Sequence, residues 1–252
     1  NYTLTVTTMP DANHNPVTKT VNVTVNKVDS TLAVDNITFD YKGSGSGNVS
    51  FTGASGVNAS VIDQSEAAVN VTGNTITVSG LDAGNYTLAV TTMPDANHNP
   101  VTVNATITVN KLKTDLTASE ITTTYNINKD LVITLKDANG NTLAGFNVTV
   151  DLNGVKTYTT DSKGQVKVST KGLAPKVYTA KISFNGDANH VNSAADVKVT
   201  VNKATPKMTA KAKTFKSSVK TKKYTITLKD NTGKAIKNAK VTKIIKDKEN
   251  NL

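Results

Sequence analysis

The chain of 252 residues has no cysteine, no tryptophan and no arginine, and only three glutamates. Without cysteine there is no disulfide, no thiolate metal ligand and no cysteine nucleophile. Without arginine there is no planar fork for bidentate contact with phosphates or base edges. Aromatic residues make up 5%, which leaves little to stack on bases or sugar rings. No run approaches the roughly 18 consecutive apolar residues that cross a membrane as a helix. The chain also lacks a basic segment followed by an apolar one at its start. Its first residues, Asn1 to Val6, already alternate like the middle of a strand. The chain therefore reads as a piece of something longer, with signal and anchor expected outside it.

Four residue types fill half of the chain: 41 Thr, 30 Val, 29 Asn and 29 Lys. Thr and Val are branched at Cβ and suit a pleated strand better than a helix. Asn and Gly supply turns. This composition excludes a helical bundle, a coiled coil and an α/β fold of ordinary make-up.

Internal repeats organise the rest. Residues 1–27 and 85–111 match at 21 of 27 positions. A weaker copy runs from Tyr178 to Lys203, and all three end in Val-Asn-Lys. The units implied are 28–111 and 112–203, each complete. Residues 1–27 correspond to the C-terminal part of such a unit, and 204–252 to the N-terminal part of another. Ile226-Thr227-Leu228-Lys229-Asp230 repeats Ile133 to Asp137, and the match fails after Thr242, where Ile244 to Glu249 breaks the alternation.

Strand signals are clear within 112–203. A strand near Lys113–Ala118 is followed by Leu131–Leu135 and an Asp-Ala-Asn-Gly turn at 137–140. Phe146–Leu152 alternates and ends at Asn153-Gly154, a two-residue hairpin signal. Val155–Thr160, the turn 161–164 and Gln165–Thr170 read as a second hairpin. Val177–Phe184 and Val197–Val201 close the set, giving about seven antiparallel strands. That is the count of an immunoglobulin-like β-sandwich. Unit 28–111 reads as the same plan with a shorter middle, and its Gly43-Ser44-Gly45-Ser46-Gly47 run reads as a flexible turn. Tyr86 and Tyr178 each follow a tight corner at the start of the penultimate strand, the place of a structural tyrosine corner.

The order Lys136-Asp137-x-x-Gly140, Val148 to Gly154, Thr160 to Gly164, Tyr178 to Asn189 and a closing Val-Asn-Lys resembles the bacterial-type Ig-like repeats of adhesin-like cell-surface proteins. The Thr, Asn and Lys-rich composition is most similar to those of methanogenic archaea. The resemblance implies tandem sandwiches in an extracellular stalk or adhesin, and it carries over no catalytic residue.

The residues themselves offer little chemistry. His14, His98 and His190 recur at one place in an Asp-Ala-Asn-His loop, whereas a triad or a zinc site needs different residues converging. No nucleophile elbow or phosphate loop occurs. Asp95, Asn97 and Asn99, and likewise Asp137, Asn139 and Asn141, set oxygen donors at alternate positions like the opening of a calcium loop. The turn glycine and bidentate carboxylate of such a site are missing. Turn formation is preferred, no cofactor is expected, and calcium is the alternative left open. In a sandwich these loops face the point where the chain enters, so each Asp-Ala-Asn-His loop is expected to meet the preceding Val-Asn-Lys and set the angle between units.

Charge is uneven: residues 1–111 hold four Lys against eight acids, and residues 112–252 hold 25 against 11. The Lys-rich segment 204–252 suits an anionic cell-wall polymer better than nucleic acid. Asn-x-Ser/Thr sequons begin at Asn1, Asn22, Asn36, Asn48, Asn58, Asn70, Asn85, Asn104 and Asn147. Their crowding before residue 112 hints at N-glycosylation. The leading expectation is a non-enzymatic stalk or adhesion segment that holds a binding region away from the cell wall. Its partners would be other repeats of the chain and a ligand on a host or neighbouring cell. The alternative, a carbohydrate- or protein-binding module, needs an aromatic platform that this composition barely supplies. A wall-degrading enzyme would need a catalytic domain outside these residues.

Overall fold

The computed structural model describes residues 1–244. The loss of alternation after Thr242 therefore lies, from residue 245 on, outside the described residues. The chain divides into two compact units, Asn1–Leu112 with Asp187–Val191, and Lys113–Gly186 with Asn192–Leu252. Both are all-β.

The first unit opens with a ribbon of β1 (Tyr2–Thr7) and β2 (Thr18–Val23), paired antiparallel from Tyr2↔Val23 to Thr7↔Thr18. It continues through β3 (Val28–Asp29), β4 (Thr31–Val34), β5 (Ile37–Asp40), β6 (Ser44–Thr52), β7 (Val57–Val61), β8 (Ala68–Thr72), β9 (Thr75–Ser79), β10 (Gly84–Thr92), β11 (His98–Asn99) and β12 (Thr102–Asn110). Two four-stranded sheets, β4-β6-β9-β8 and β5-β12-β10-β7, face one another. Alternate residues of each sheet meet in one core that includes Ile37, Val49, Ile76, Leu88, Val90 and Ile107, each at most 1% exposed. At about 25 cal/mol per Å², this burial is the main favourable term of the sandwich.

The glycine-rich run is not a turn. Residues 44–52 form β6, and Gly45 and Gly47 point into the core. A Cβ on Gly45 would sit 2.6 Å from both Ile37 Cγ2 and Phe39 Cδ1. The glycines are there because the facing strand comes too close for any side chain.

The second unit holds β13 (Thr114–Ala118), β14 (Ile121–Thr124), β15 (Asp130–Asp137), β16 (Asn147–Asp151), β17 (Val155–Thr159), β18 (Gln165–Ser169), β19 (Val177–Phe184) and β20 (Ser193–Asn202). These build the sheets β13-β15-β18 and β14-β20-β19-β16-β17 around Leu131, Ile133, Leu135, Val148, Ile182 and Val199. Phe146 and Phe184 pack edge to face, with ring centroids 5.8 Å apart. A smaller ribbon, β21 (Lys207–Ala210) with β22 (Ile226–Lys229), follows in the same unit.

Two further sequence expectations change here. Residues 155–170 are not a hairpin, because β17 pairs with β16 while β18 pairs with β15 in the other sheet. The turn 161–164 crosses between the sheets, held by Asp161 Oδ1, which accepts the N–H groups of Lys163 and Gln165. The Asn153-Gly154 hairpin has three loop residues, since Asp151 pairs with Val155. Its backbone does take the positive φ that Asn and Gly favour, 65° and 112°.

The two sandwiches also differ in plan. In the first, the two-residue turn Gly73-Asn74 forces β8 to pair with β9. In the second, the short loop 152–154 forces β17 onto β16. Turn placement, more than strand content, decides which sheet the middle strand joins. Each sandwich gains one strand beyond the expected set, because its leading segment splits in two. The later piece, β5 or β14, pairs parallel with the last strand, as Ile37↔Ile107 and Ile121↔Val199. Both sandwiches are immunoglobulin-like in strand order.

Candidate functional site

The repeated Asp-Ala-Asn-His loop forms a clasp on the peptide that leads into each sandwich. In the first copy, Asp95 Oδ1 accepts the N–H groups of Asn97 and His98, both at 2.7 Å. The His98 ring lies 2.9 Å from both carboxylate oxygens through Nδ1. This self-bonded turn leaves the backbone carbonyls of the loop pointing outward, and the leading peptide takes them. Lys27 Nζ donates to the Asp95 carbonyl at 2.8 Å, and Val28 N–H to that of Asn97 at 3.1 Å. Val28–Asp29 runs parallel to His98–Asn99. Ser30 N–H donates to Asn99 O, and its buried hydroxyl bonds Gly53 O at 2.9 Å and Asn99 O at 3.0 Å.

The second copy repeats the pattern. Lys111 Nζ donates to Asp187 O at 2.6 Å, and Leu112 N–H to Asn189 O at 2.9 Å. Val191 N–H returns the bond to Leu112 O. Leu112 and His190 are buried, and the His190 ring meets Tyr41 edge to face at 5.7 Å. Asn189 uses its amide twice, donating to Asp82 Oδ1 at 3.0 Å and accepting from Ala83 N–H at 2.8 Å. The ribbon keeps the loop alone: Asp11 Oδ1 accepts the N–H groups of Asn13 and His14, and the His14 ring lies against it in the same way.

These bonds explain the acidity of the loops. The Asn97 N–H, then the His98 ring, hold the Asp95 carboxyl below its ordinary value of 3.8. For Asp187, partial burial pushes the carboxyl up, but bonds from His190 and Asn189 outweigh it and keep it low. The carboxylate serves the loop.

The calcium candidates are distributed between separate bonds. Asp95 is folded onto His98, whereas Asn99 donates to Asp29 Oδ1 at 3.0 Å. Asp137, Asn139 and Asn141 are brought together, but as a turn. Asp137 Oδ1 accepts the N–H groups of Asn139 and Asn141, and its Oδ2 accepts the Asn141 amide at 3.0 Å. Among the described residues no three carboxylate or imidazole groups converge as a metal site.

Tyr86 and Tyr178 donate their hydroxyls to the carbonyls of Asp82 and Ala174, each four residues upstream and at 2.9 Å. Lys176 lies 4.5 Å over the Tyr178 ring, at the position that Gly84 holds before Tyr86. The sequon residues Asn22, Asn36, Asn48, Asn58, Asn70, Asn85, Asn104 and Asn147 are all exposed. Asn36 accepts the Thr106 N–H, and Asn147 accepts the Thr159 hydroxyl. Ser30, Asp82 and Ala83 went unnoticed in the sequence. Nothing in their own neighbourhoods marks these contacts, because the partners lie 23 to 107 residues away.

No family model matches the chain. No curated protein matches it either. Similar folds occur among solved structures. Titin domains Z1Z2, in a complex with telethonin, are 9% identical over 72% of this chain and 100% of theirs, with a TM-score of 0.40. Titin domains A168–A170 are 8% identical over 70% of this chain and 66% of theirs, at 0.42. The fibronectin III-like modules of Clostridium thermocellum CbhA are 12% identical over 69% of this chain and 95% of theirs, at 0.28.

Proposed function

We propose that this chain is a non-enzymatic stalk segment of a large adhesin-like protein outside the cell, whose sandwiches hold a binding region away from the cell wall. One observation carries the reading. In both sandwiches a strand near the start pairs parallel with the last strand, β5 with β12 and β14 with β20. Tension on the two ends of such a module pulls these partners in opposite directions along their length. Four residue pairs in each ladder are then loaded together in shear, instead of opening one at a time. The clasp adds to this. A peptide whose Lys, Val and Ser are bonded to a loop of the module it leads into is not a free coil.

The test is force spectroscopy on residues 28–203, together with antibody labelling of intact cells that make the protein. Resistance to unfolding comparable to other shear-loaded sandwiches, with label on the cell surface, supports the stalk. Unfolding by peeling at low force, or absence from the surface, overturns it.

A further inference from the structure

The outer faces of the first sandwich have almost no charge. Strands β4, β6 to β10 and β12 contain no Lys, Asp or Glu, and their outward positions are Ser, Thr, Asn and Ala. In the second sandwich every strand except β14 carries at least one charged residue. The contrast is sharpest at the sheet edges. An open edge presents unpaired backbone groups that template pairing with another chain, and a charged side chain there, often Lys, blocks it. In the second sandwich the edge strands β17 and β18 carry Lys156 and Lys167. In the first, the corresponding edges are β7, Val-Asn-Ala-Ser-Val, and β8, Ala-Val-Asn-Val-Thr. Neither holds a charge, and each holds a whole sequon, Asn58 to Ser60 and Asn70 to Thr72.

The geometry suits attachment. Asn58 and Ser60 share the outer face of β7, because strand residues two apart point the same way, and both are exposed. Asn70 and Thr72 stand likewise on β8. Val57, Val61, Val69 and Val71 turn inward to the core. We infer that Asn58 and Asn70 carry N-linked glycans, which guard these two edges, at the places where the second sandwich uses lysine. A branched, hydrated glycan on the second residue of β7 or the central residue of β8, each a five-residue edge strand, keeps another strand from docking along it.

In the attachment, the Asn Nδ2 forms a bond to the anomeric carbon of a glycan carried on a lipid phosphate. The bond from that carbon to the phosphate oxygen breaks, and the lipid phosphate leaves with the electron pair. One amide proton passes to a base of the transferase. Transfer takes place before the strand is locked into its sheet.

The inference rests on the extracellular location proposed above. The test isolates the full protein from the cells that make it and reads peptides containing Asn58 and Asn70 by mass spectrometry. Glycan mass is expected on both. The variant N58Q/N70Q, made in the same cells, is expected to move from monomer to pelletable polymer, while N58K/N70K stays monomeric with a charge in place of the glycan. Unmodified asparagines on a chain that antibodies detect on intact cells overturn this inference alone. So does an N58Q/N70Q protein that stays monomeric. Absence of the chain from the surface overturns the location, and this inference with it.

Discussion

Lys27 donates its ammonium to the backbone carbonyl of Asp95, 68 residues later in the chain. Lys111 does the same to Asp187. The lysines of the first two Val-Asn-Lys endings thus close on the loop of the unit that follows each. The loop is shaped to receive it by a carboxylate that has already bonded two N–H groups and a histidine ring.

That carboxylate makes the clasp sensitive to acid. Asp95 is held below its ordinary 3.8 in the folded loop. Its contribution is therefore fully present above the unfolded value and is lost as pH falls through the lower, folded one. Urea midpoints of residues 27–111 should fall as the pH drops below 3.8, and the D95N variant should show a flatter profile. Identical acid profiles for the two would show that Asp95 contributes nothing to stability.

Gly45→Ala should destabilise the first sandwich by about 1–3 kcal/mol, the usual cost of overpacking. The added Cβ meets Ile37 and Phe39 at 2.6 Å, and neither can withdraw from the core. Gly140→Ala is the control, with no atom within 4 Å of its Cβ and a cost set by its φ of 83° alone. Thermal unfolding of each variant reads the difference.

Removing one hydroxyl separates the two tyrosines. Tyr178→Phe should cost about 1 kcal/mol, the net worth of one hydrogen bond. Tyr86→Phe should cost less, since its bond to Asp82 O is exposed while that of Tyr178 is part-buried. Denaturant titration of the separate sandwiches measures both.

The ribbons at the two ends should be the least protected parts of the chain in hydrogen exchange. Tyr2, Leu4 and Val6 are 50–68% exposed on β1, and Met208 is 55% exposed on β21. With no second sheet among the described residues to cover them, their opening is local and frequent. Protection in β1 and β2 equal to that of β10 and β12 in dilute solution would contradict this.

The Lys-rich half should hold anionic wall polymer by diffuse attraction. Residues 112–252 should be retained at low salt and released near physiological salt, where screening acts over about 8 Å. Residues 28–111 carry two Lys against seven acids and should not be retained. A pull-down of both fragments across a salt series decides it, and equal retention would reduce the lysines to solvated surface.

Much of the fold is legible in the residues. Thr and Val alternation marks strands because the side-chain period of a strand is two. The repeat of 1–27 in 85–111, and the Val-Asn-Lys endings, divide the chain without any coordinates. The Asp-Ala-Asn-His turn is equally local, since every bond that shapes it spans two or three residues.

The relations that alternation leaves open are settled by long-range packing. A strand pattern states which face is buried and not which sheet the strand joins, so β17 and β18 read as a hairpin yet lie in opposite sheets. A glycine-rich run reads as a flexible turn until Ile37 and Phe39 are seen packed over Gly45. Leu4 and Leu88 occupy the same place in nearly identical segments, yet one is 50% exposed and the other 0%. Local sequence sets the conformation of a segment; burial depends on which other strands are present to cover it.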